Sequence, residues 1–535
     1  MLFRDILLTA AASVSAGLAF VPDQTGKVLA LSTRNITPGY VSKAFDVKRS
    51  SDGTTASIYY LPNGDLDVAT ARAFRGTASV SGVEPKLWVT KWYNQNGTGD
   101  PTPVIADVVE LVLDGPGGKP CLGFYRSTAL SIALDSSLQA NGADHTIIAV
   151  AATSDGTQAT AAHIMSSYGA DAVGWGLWSG GSSASGKLQY YSNTKGGASS
   201  ATTTTTVDGF QQSYIVTRTS GAIAFYLNGA ADGTATGHGN GSSTGTLRIG
   251  GQYDNALTSR SRMLLSEIII YSRAISAGEI ASISANHASY YGTKTPTATP
   301  AASEGASGLK FITNGKVDVG NHFLFTTAST WSARTSIRMR GRPNLVGSGA
   351  TNDYAAILWS SANTSPYPCH ELWMDHRGLL RVRIINSILT PTFIGVVGSI
   401  NIVDDADHVV WATYDGSGAA AGVKLYVDGV LDTNTIVESD SLAGNSTTSP
   451  GPMLIGNQTG FTAGFFHRGA MSHHQFHNVV RDASYIAQYG VIGSIPALPD
   501  VNIIGNYPMD EGSGTTVDDT STSDFNGTLT TATWL

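Results

Sequence analysis

An all-β chain, folded as two tandem antiparallel sandwiches, is what this sequence predicts. Short alternating stretches such as Ala56-Ser-Ile-Tyr-Tyr60 and Leu87-Trp-Val-Thr-Lys-Trp-Tyr93 are broken by Asn63-Gly64 and Asn96-Gly97, the punctuation of strands and turns. No long helical period precedes residue 275. At 535 residues the chain is longer than one core serves, because single hydrophobic cores stop growing near roughly 250 to 300 residues. A weak internal duplication supplies the third observation.

Composition narrows the class. Charged residues make up 13% of the chain, about half the usual ~25%. Glycine is abundant at 61 residues, and runs of Ser and Thr are frequent, a balance typical of β-rich extracellular or virion proteins. A net charge of −8, without any Lys/Arg cluster, leaves no basic surface to neutralise phosphates, so nucleic acid is not an expected partner. Cys121 and Cys369 are the two cysteines; they supply no disulfide framework, and stability is expected from core burial and oligomerisation.

In chain order, residues 1–20 carry Ile6-Leu7-Leu8 and an Ala-rich run, with Arg4 offset by Asp5. We expect a short retained helix that docks to a larger particle; the alternative is a secretion signal. The segment is too short and interrupted to span a bilayer, so no membrane partner is expected. Residues 21–116 read as a β-rich region packed on a first sandwich, 117–293. Residues 294–308, KTPTATPAASEGASG, form an extended spacer, and 309–535 form the second sandwich.

The duplication flanks that spacer. The left copy reads Ala224-Phe-Tyr-Leu-Asn-Gly229, Leu247-Arg-Ile-Gly-Gly251, Glu267-Ile-Ile-Ile-Tyr271 and a short helix from Ser276; the right reads Lys424-Leu-Tyr-Val-Asp-Gly429, Leu454-Ile-Gly-Asn457, His474-Gln-Phe-His477 and a short helix from Asp482. Tyr214-Ile-Val-Thr-Arg218 and His408-Val-Val-Trp-Ala412 supply matching upstream strands. Each Asn-Gly or Asp-Gly pair marks a tight hairpin needing φ > 0.

This pattern resembles the concanavalin/laminin-G-like jelly rolls, over residues 117–293 and 309–535. Asn506-Tyr-Pro-Met-Asp-Glu-Gly-Ser-Gly514, Val517-Asp-Asp519 and Phe525-Asn-Gly-Thr-Leu529 look like the opening strand of such domains, placed last. It either completes the second sandwich as in a circular permutant or crosses to a neighbouring subunit. A narrower resemblance, to the α-L-arabinofuranosidase B family of glycoside hydrolases, rests on Ala44-Phe-Asp-Val-Lys-Arg-Ser-Ser-Asp-Gly53, Leu61-Pro-Asn-Gly-Asp-Leu66 and Lys91-Trp-Tyr-Asn-Gln-Asn-Gly97. That family's cysteine-rich region with its catalytic glutamate reads here as Ser167-Tyr-Gly-Ala-Asp171, without cysteines or glutamate, and Asn94 replaces an aspartate. Hydrolysis needs two carboxyl groups of different pKa held a few ångströms apart, and no such pair stands out.

Aromatic faces cover the C–H face of a sugar. The candidates for glycan contact are Trp175, Trp178, Tyr190, Tyr191 and Trp373, with Trp359 and Trp411 also considered; strand alternation sends every other one to the core. Trp178, before the Gly180–Gly186 turn, is the preferred surface residue. Asp404, Asp405 and Asp407, and Asp510 with Glu511, Asp518 and Asp519, are either solvated turn acids or, as in laminin-G relatives, rim ligands for calcium. His467, His473, His474 and His477 form the one dense histidine group, with His473 and His477 expected on one strand face and His474 on the other. Cys369 and His370 adjoin but should face opposite sides. No other cofactor is expected. The seven Asn-x-Ser/Thr sequons, at Asn35, Asn96, Asn240, Asn363, Asn445, Asn457 and Asn526, are the number chance gives in such a composition.

The functional expectation is a non-catalytic virion structural or adhesion protein of the phage appendage kind, a tail fibre, tail spike or head/collar appendage. It would bind other virion proteins through residues 1–20, host cell-surface glycan through its loops, and further copies of itself, a trimer being favoured. The rivals are a secreted arabinofuranosidase-like hydrolase and a structural decoration protein without ligand.

Overall fold

The computed structural model describes residues 22–23, 25–76, 85–97, 99–105, 109–125, 129–134, 144–153, 162–167, 174–179, 187–194, 197–206, 211–236, 245–251, 262–293, 308–311, 315–323, 325–339, 354–361, 368–375, 377–387, 392–404, 406–442, 451–457, 467 and 469–535. The proposed docking helix and most of the spacer lie outside them. The chain divides into two compact units, the first ending at Thr295 and the second running from Pro296 to Leu535.

Each unit is a pair of antiparallel sheets. In the first, an 11-stranded sheet runs in the order Ala230–Ala235, Ala222–Leu227, Gln211–Thr219, His145–Thr153, Arg262–Tyr271, Cys121–Tyr125, Val109–Val112, Leu87–Trp92, Phe45–Arg49, Thr55–Ile58, with Lys27–Ser32 also on Arg262–Tyr271. Of the strands drawn from residues 21–116, all but Thr102–Pro103 extend this sheet. A 7-stranded sheet, Gly197–Thr206, Lys187–Thr194, Gly174–Ser179, Ala162–Ser166, Thr246–Ile249, Leu130–Ala133, Thr102–Pro103, faces it. The core between them gathers Trp92, Phe124, Leu130, Ile147, Leu177, Tyr190, Phe225 and Ile249.

The second unit repeats the plan with an 8-stranded sheet centred on Trp331–Met339 and Gly469–His477 and a 9-stranded sheet centred on Cys369–Asp375 and Leu379–Ser387. Its last segment returns to it: Ile503–Tyr507 pairs with Gly469–His477, Gly527–Thr530 with Lys316–Gly320, and Thr533–Trp534 with Leu309–Phe311. Of the two possibilities left by the sequence, the segment completes its own sandwich.

The duplicated motifs have duplicated reasons. Asn228 and Gly229 have φ of 50° and 88°, Asp428 and Gly429 of 50° and 77°, the pair of positive values a two-residue hairpin requires. The glycine of each Leu-x-Ile-Gly or Leu-Ile-Gly motif, Gly250 and Gly456, has φ of 84°. A Cβ there would lie 2.4 Å from the ring of Phe124 or Phe311 respectively, so both units need glycine at the same place.

Helices close one outer face of each unit. Ala277–Tyr291 starts at a capping box in which Ser276 and Glu279 satisfy each other's backbone N–H, and ends at Gly292; it covers Ile148, Ile215, Ile269 and Tyr271 of the first sheet through Ile280 and Ile283. Ala483–Tyr489, capped by Asp482, covers Val409, Trp411 and Tyr426 through Ile486. A third helix, Val68–Arg75, was not expected. Its eight residues are too few for a period to register in sequence, though Asp67 accepts a cap hydrogen bond from Thr70 N at 3.0 Å. Among the described residues no helix is long and apolar enough to cross a membrane.

Candidate functional site

With one outer face of the first unit closed by its helix, the outer face of the 7-stranded sheet is the place to look. Alternation divides its strands cleanly. Trp175 and Leu177, with Leu188 and Tyr190 on the next strand, enter the core; Gly176 and Trp178, with Gln189 and Tyr191, point the other way. The register sets Trp178 opposite Gln189 and Gly176 opposite Tyr191, making Trp178 and Tyr191 diagonal neighbours. Their ring centroids lie 4.9 Å apart at 31°. Trp178 Nε1 donates to Gln189 Oε1, and His163, opposite Trp178 on the adjoining strand, meets it edge-on at 4.7 Å. One strand further, Arg248 sits across from Ser166, its pKa lowered by burial. Trp178 and Tyr191 are both partly exposed. The result is a fixed aromatic platform beside hydrogen-bonding groups.

The other aromatic candidates are elsewhere. Trp175 is 3% exposed and Tyr190 1%; they lie on the inward phase of the same strands, stacked on or hydrogen-bonded to His145. They are core residues, a correction to the expected surface set. Trp373 is also only 3% exposed, because Arg381 and Arg383 lie over its ring at 5.1 and 5.0 Å. Both guanidiniums bind Glu438, through Nε to Oε2 at 2.8 and 3.0 Å and through Nη2 to Oε1. Trp411 packs under the second unit's helix, and the side chain of Trp359 lies outside the described residues.

Next to this cluster, Glu371 accepts the Cys369 thiol proton at 2.9 Å, and burial, against the pull of Arg383, pushes its carboxyl up to about 7. Glu371 and Glu438 thus have opposed environments, as an acid and base of a hydrolase would. Both oxygens of Glu438 are shared by two guanidiniums, however, which leaves it poorly placed to act as base or nucleophile. His370 faces the opposite way, towards Phe325 and Trp331, so Cys369 and His370 make no nucleophile pair.

The acidic groups are engaged separately. Asp404 Oδ1 lies 3.0 Å from His408 Nε2, and Asp428 Oδ2 lies 2.8 Å from His408 Nδ1. Asp407 pairs with Arg338 at 3.6 Å, and Asp405 lies outside the described residues. Glu511 accepts from Asp518 N at 2.6 Å, and Asp510 is exposed beside it. Among the described residues no three His, Cys, Asp or Glu side chains converge to hold a metal.

The histidine group is likewise interior. His467, His474 and His477 are fully buried, and burial lowers them to about 4, 3 and 3. A bulge between the pairs Arg334–Gln475 and Ser336–Ser472, with His473 at φ 48°, interrupts the expected alternation at His473, whereas His474 sits with Phe476 and His477 against Trp411 and Tyr485, on opposite faces.

One buried arrangement has no signature in the sequence. Under the helix of the first unit, Glu267 accepts from Arg34 Nε at 3.1 Å, Ser32 Oγ at 2.7 Å and Tyr291 OH at 3.0 Å. His287 bridges Glu267 at 2.9 Å through Nε2 and Ser213 Oγ at 2.7 Å through Nδ1. The Ser-His-Glu order imitates a hydrolytic triad, but Ser213, His287 and Glu267 are each 0% exposed and admit no substrate. Long sequence separation hid it: two strands and a helix contribute. The arabinofuranosidase-like stretch is structural as well. Asn94 Oδ1 accepts from Ala30 N at 3.0 Å, and Gln95 accepts from Ile36 N at 2.7 Å while donating to Arg34 O, so this motif ties the strand Lys27–Ser32 and the residues after it to the 94–95 turn.

Residues 127–281 match the model of the Concanavalin A-like lectin/glucanases superfamily. No sequence relative was found among characterised proteins. Similar solved structures include a GH54 α-L-arabinofuranosidase soaked with a cyclic sulfate inhibitor, 12% identical, covering 82% of this chain and 99% of that one at a TM-score of 0.44. They also include domains LG4-5 of the mouse laminin alpha1 chain, 12% identical, covering 74% and 100% at 0.25, and the binding domain of botulinum neurotoxin serotype G, 10% identical, covering 62% and 90% at 0.31.

Proposed function

We propose that this chain is a non-catalytic carbohydrate-binding adhesion protein, carried as an appendage on a phage-type particle and engaging host surface glycan. The observation that carries the binding assignment is the Trp178–Tyr191 platform on the outer face of the 7-stranded sheet, with Gln189 and Arg248 alongside. An aromatic face of this kind buries the apolar face of a pyranose, and the polar rim fixes its orientation.

The described residues of this face include Thr102, Ser131, His163, Ser166, Trp178, Gln189, Tyr191 and Arg248, none of which is a carboxylic acid. Glycoside hydrolysis needs two carboxyl groups, which favours binding over turnover. The appendage reading rests on the low charge, the Ser/Thr-rich spacer and the duplicated sandwich. It predicts a homotrimer by native mass spectrometry of the full chain; a strictly monomeric protein would remove the trimer from the proposal.

Binding is tested by titrating the chain against a panel of cell-surface polysaccharides and their oligosaccharides. Trp178→Ala should weaken the best ligand by about ten- to a hundredfold, the loss expected for about 1–3 kcal/mol of ring stacking and area burial. Release of reducing sugar or of free arabinose from any of them would overturn the non-catalytic reading.

A further inference from the structure

The second unit holds a cavity of about 530 Å³ lined by His322, Phe323, Phe325, Ser329, Asn478 and Ile504. It lies where residues 322–323 and 325–330 meet the end of Gly469–His477 and the strand Ile503–Tyr507. Its volume falls within the range of small-molecule sites, roughly 300 to 1,000 Å³. The floor is apolar: Phe323 and Phe325 are 4% and 8% exposed, and Phe323 is packed on Phe476 at 4.9 Å.

Two polar side chains stand at its edge without partners. The His322 ring is stacked on Phe525 at 4.0 Å and 9°, which fixes its plane, yet neither ring nitrogen makes a hydrogen bond. The backbone of Asn478 is used, its N–H by Asn502 O and its carbonyl by Thr330 Oγ1, but its carboxamide is free to donate and accept. Ser329 Oγ, by contrast, is committed to Thr326. Among the described residues no Asp, Glu, Lys or Arg lines the cavity.

We propose that this cavity is a second carbohydrate site, which takes one unit of a neutral sugar. An uncharged lining disfavours uronic or sialic acids, whose carboxylate would lose water without gaining a cation. The His322 ring, held in place by Phe525, offers its outer face to a sugar's C–H bonds above the apolar floor. The imidazole and carboxamide offer the donor and acceptor that paired hydroxyls require. With the Trp178–Tyr191 platform in the first unit, the chain would hold two attachment points, which multiplies avidity for a repeating glycan. The proposal shares its ligand class with the reading above but not its residues.

Saturation-transfer NMR on the full chain tests it, with the methyl glycosides of glucose, galactose, mannose, arabinose and N-acetylglucosamine, and with glucuronic acid, as probes. In the Trp178→Ala background at least one neutral glycoside should still saturate. Adding Asn478→Ala or His322→Ala should weaken that remaining signal by about three- to tenfold, the size expected for one or two lost hydrogen bonds, with an unchanged melting transition. Two exposed positions are chosen so that one misfolded variant leaves the other informative. Binding abolished by Trp178→Ala alone would leave the first site standing and overturn this one. Residual binding indifferent to both substitutions, tighter binding of glucuronic acid than of any neutral sugar, or no saturation by any probe would also overturn it.

Discussion

Glu267 is completely buried, and a carboxylate there survives only in company. Burial alone would raise its pKa, but the charge of Arg34 and the hydrogen bond from His287 more than offset this and hold it well below the usual carboxylate range. Removing one partner leaves an uncompensated charge in the interior. Arg34→Met should therefore destabilise the first unit by about 3–5 kcal/mol, measured as a shift in urea midpoint. Because the folded pKa lies below the unfolded value of 4.5, the stabilisation is present above that pH and is lost on further acidification. His408 runs the opposite way. Its burial disfavours the charge, yet Asp404 and Asp428 raise it to about 9 from 6.5, so its contribution is complete below 6.5 and fades as pH rises through 9. His408→Gln should flatten that alkaline loss in the second unit; an unchanged profile would refute the assignment. Single residues were the hardest scale to read from sequence. Alternation establishes that Trp175 and Trp178 face opposite ways, since an odd spacing guarantees it, but not which faces water. That depends on neighbours such as Leu177 and Tyr190, whose inward phase is set by pairing across the sheet.

At the scale of elements the sequence was more informative, because turn chemistry is local. Asn228-Gly229 and Asp428-Gly429 announce their hairpins, and Ser276 with Glu279 announces a helix start. Gly250 and Gly456 go further, since positive φ and an aromatic ring at 2.4 Å from a would-be Cβ both exclude a side chain. Gly250→Ala and Gly456→Ala should each cost their own unit about 2 kcal/mol or more, from backbone strain of about 1–3 kcal/mol plus displacement of the ring. Gly512→Ala, at φ 70° with nothing within 4 Å, isolates the backbone part and should cost less. Equal losses at all three positions would show that the ring contacts do not matter. What sequence did not disclose was the bulge at His473–His474, since an inserted residue leaves no compositional trace and interrupts the inside/outside alternation where it sits. The helix Val68–Arg75 was missed for its brevity. The final segment was ambiguous because pairing partners hundreds of residues away decide its place.

For the whole molecule, two sandwiches with a shared plan follow from patterning that sequence carries well, while closure of particular faces does not. Which face a helix covers, and therefore which aromatic pair remains reachable, emerges only when sheets are assembled. The second unit also carries a collective property that no single strand reveals. Burial lowers His370, His467, His474 and His477 to between about 3 and 4, so each binds its proton more readily when unfolded. Their contribution is present above 6.5 and is lost as pH falls towards 4. Hydrogen exchange, corrected for intrinsic rates, should show the strand Gly469–His477 opening in that window; protection unchanged down to pH 4 would contradict it. What we propose for the Trp178–Tyr191 face is that it holds sugar without cleaving it. Calorimetric titration of the full chain with its best polysaccharide ligand, alongside Trp178→Ala and Tyr191→Ala, tests this most directly. Saturable heat without product release and a large loss of affinity in both variants are expected. Equal affinity in all three proteins, or steady heat from turnover, would contradict it.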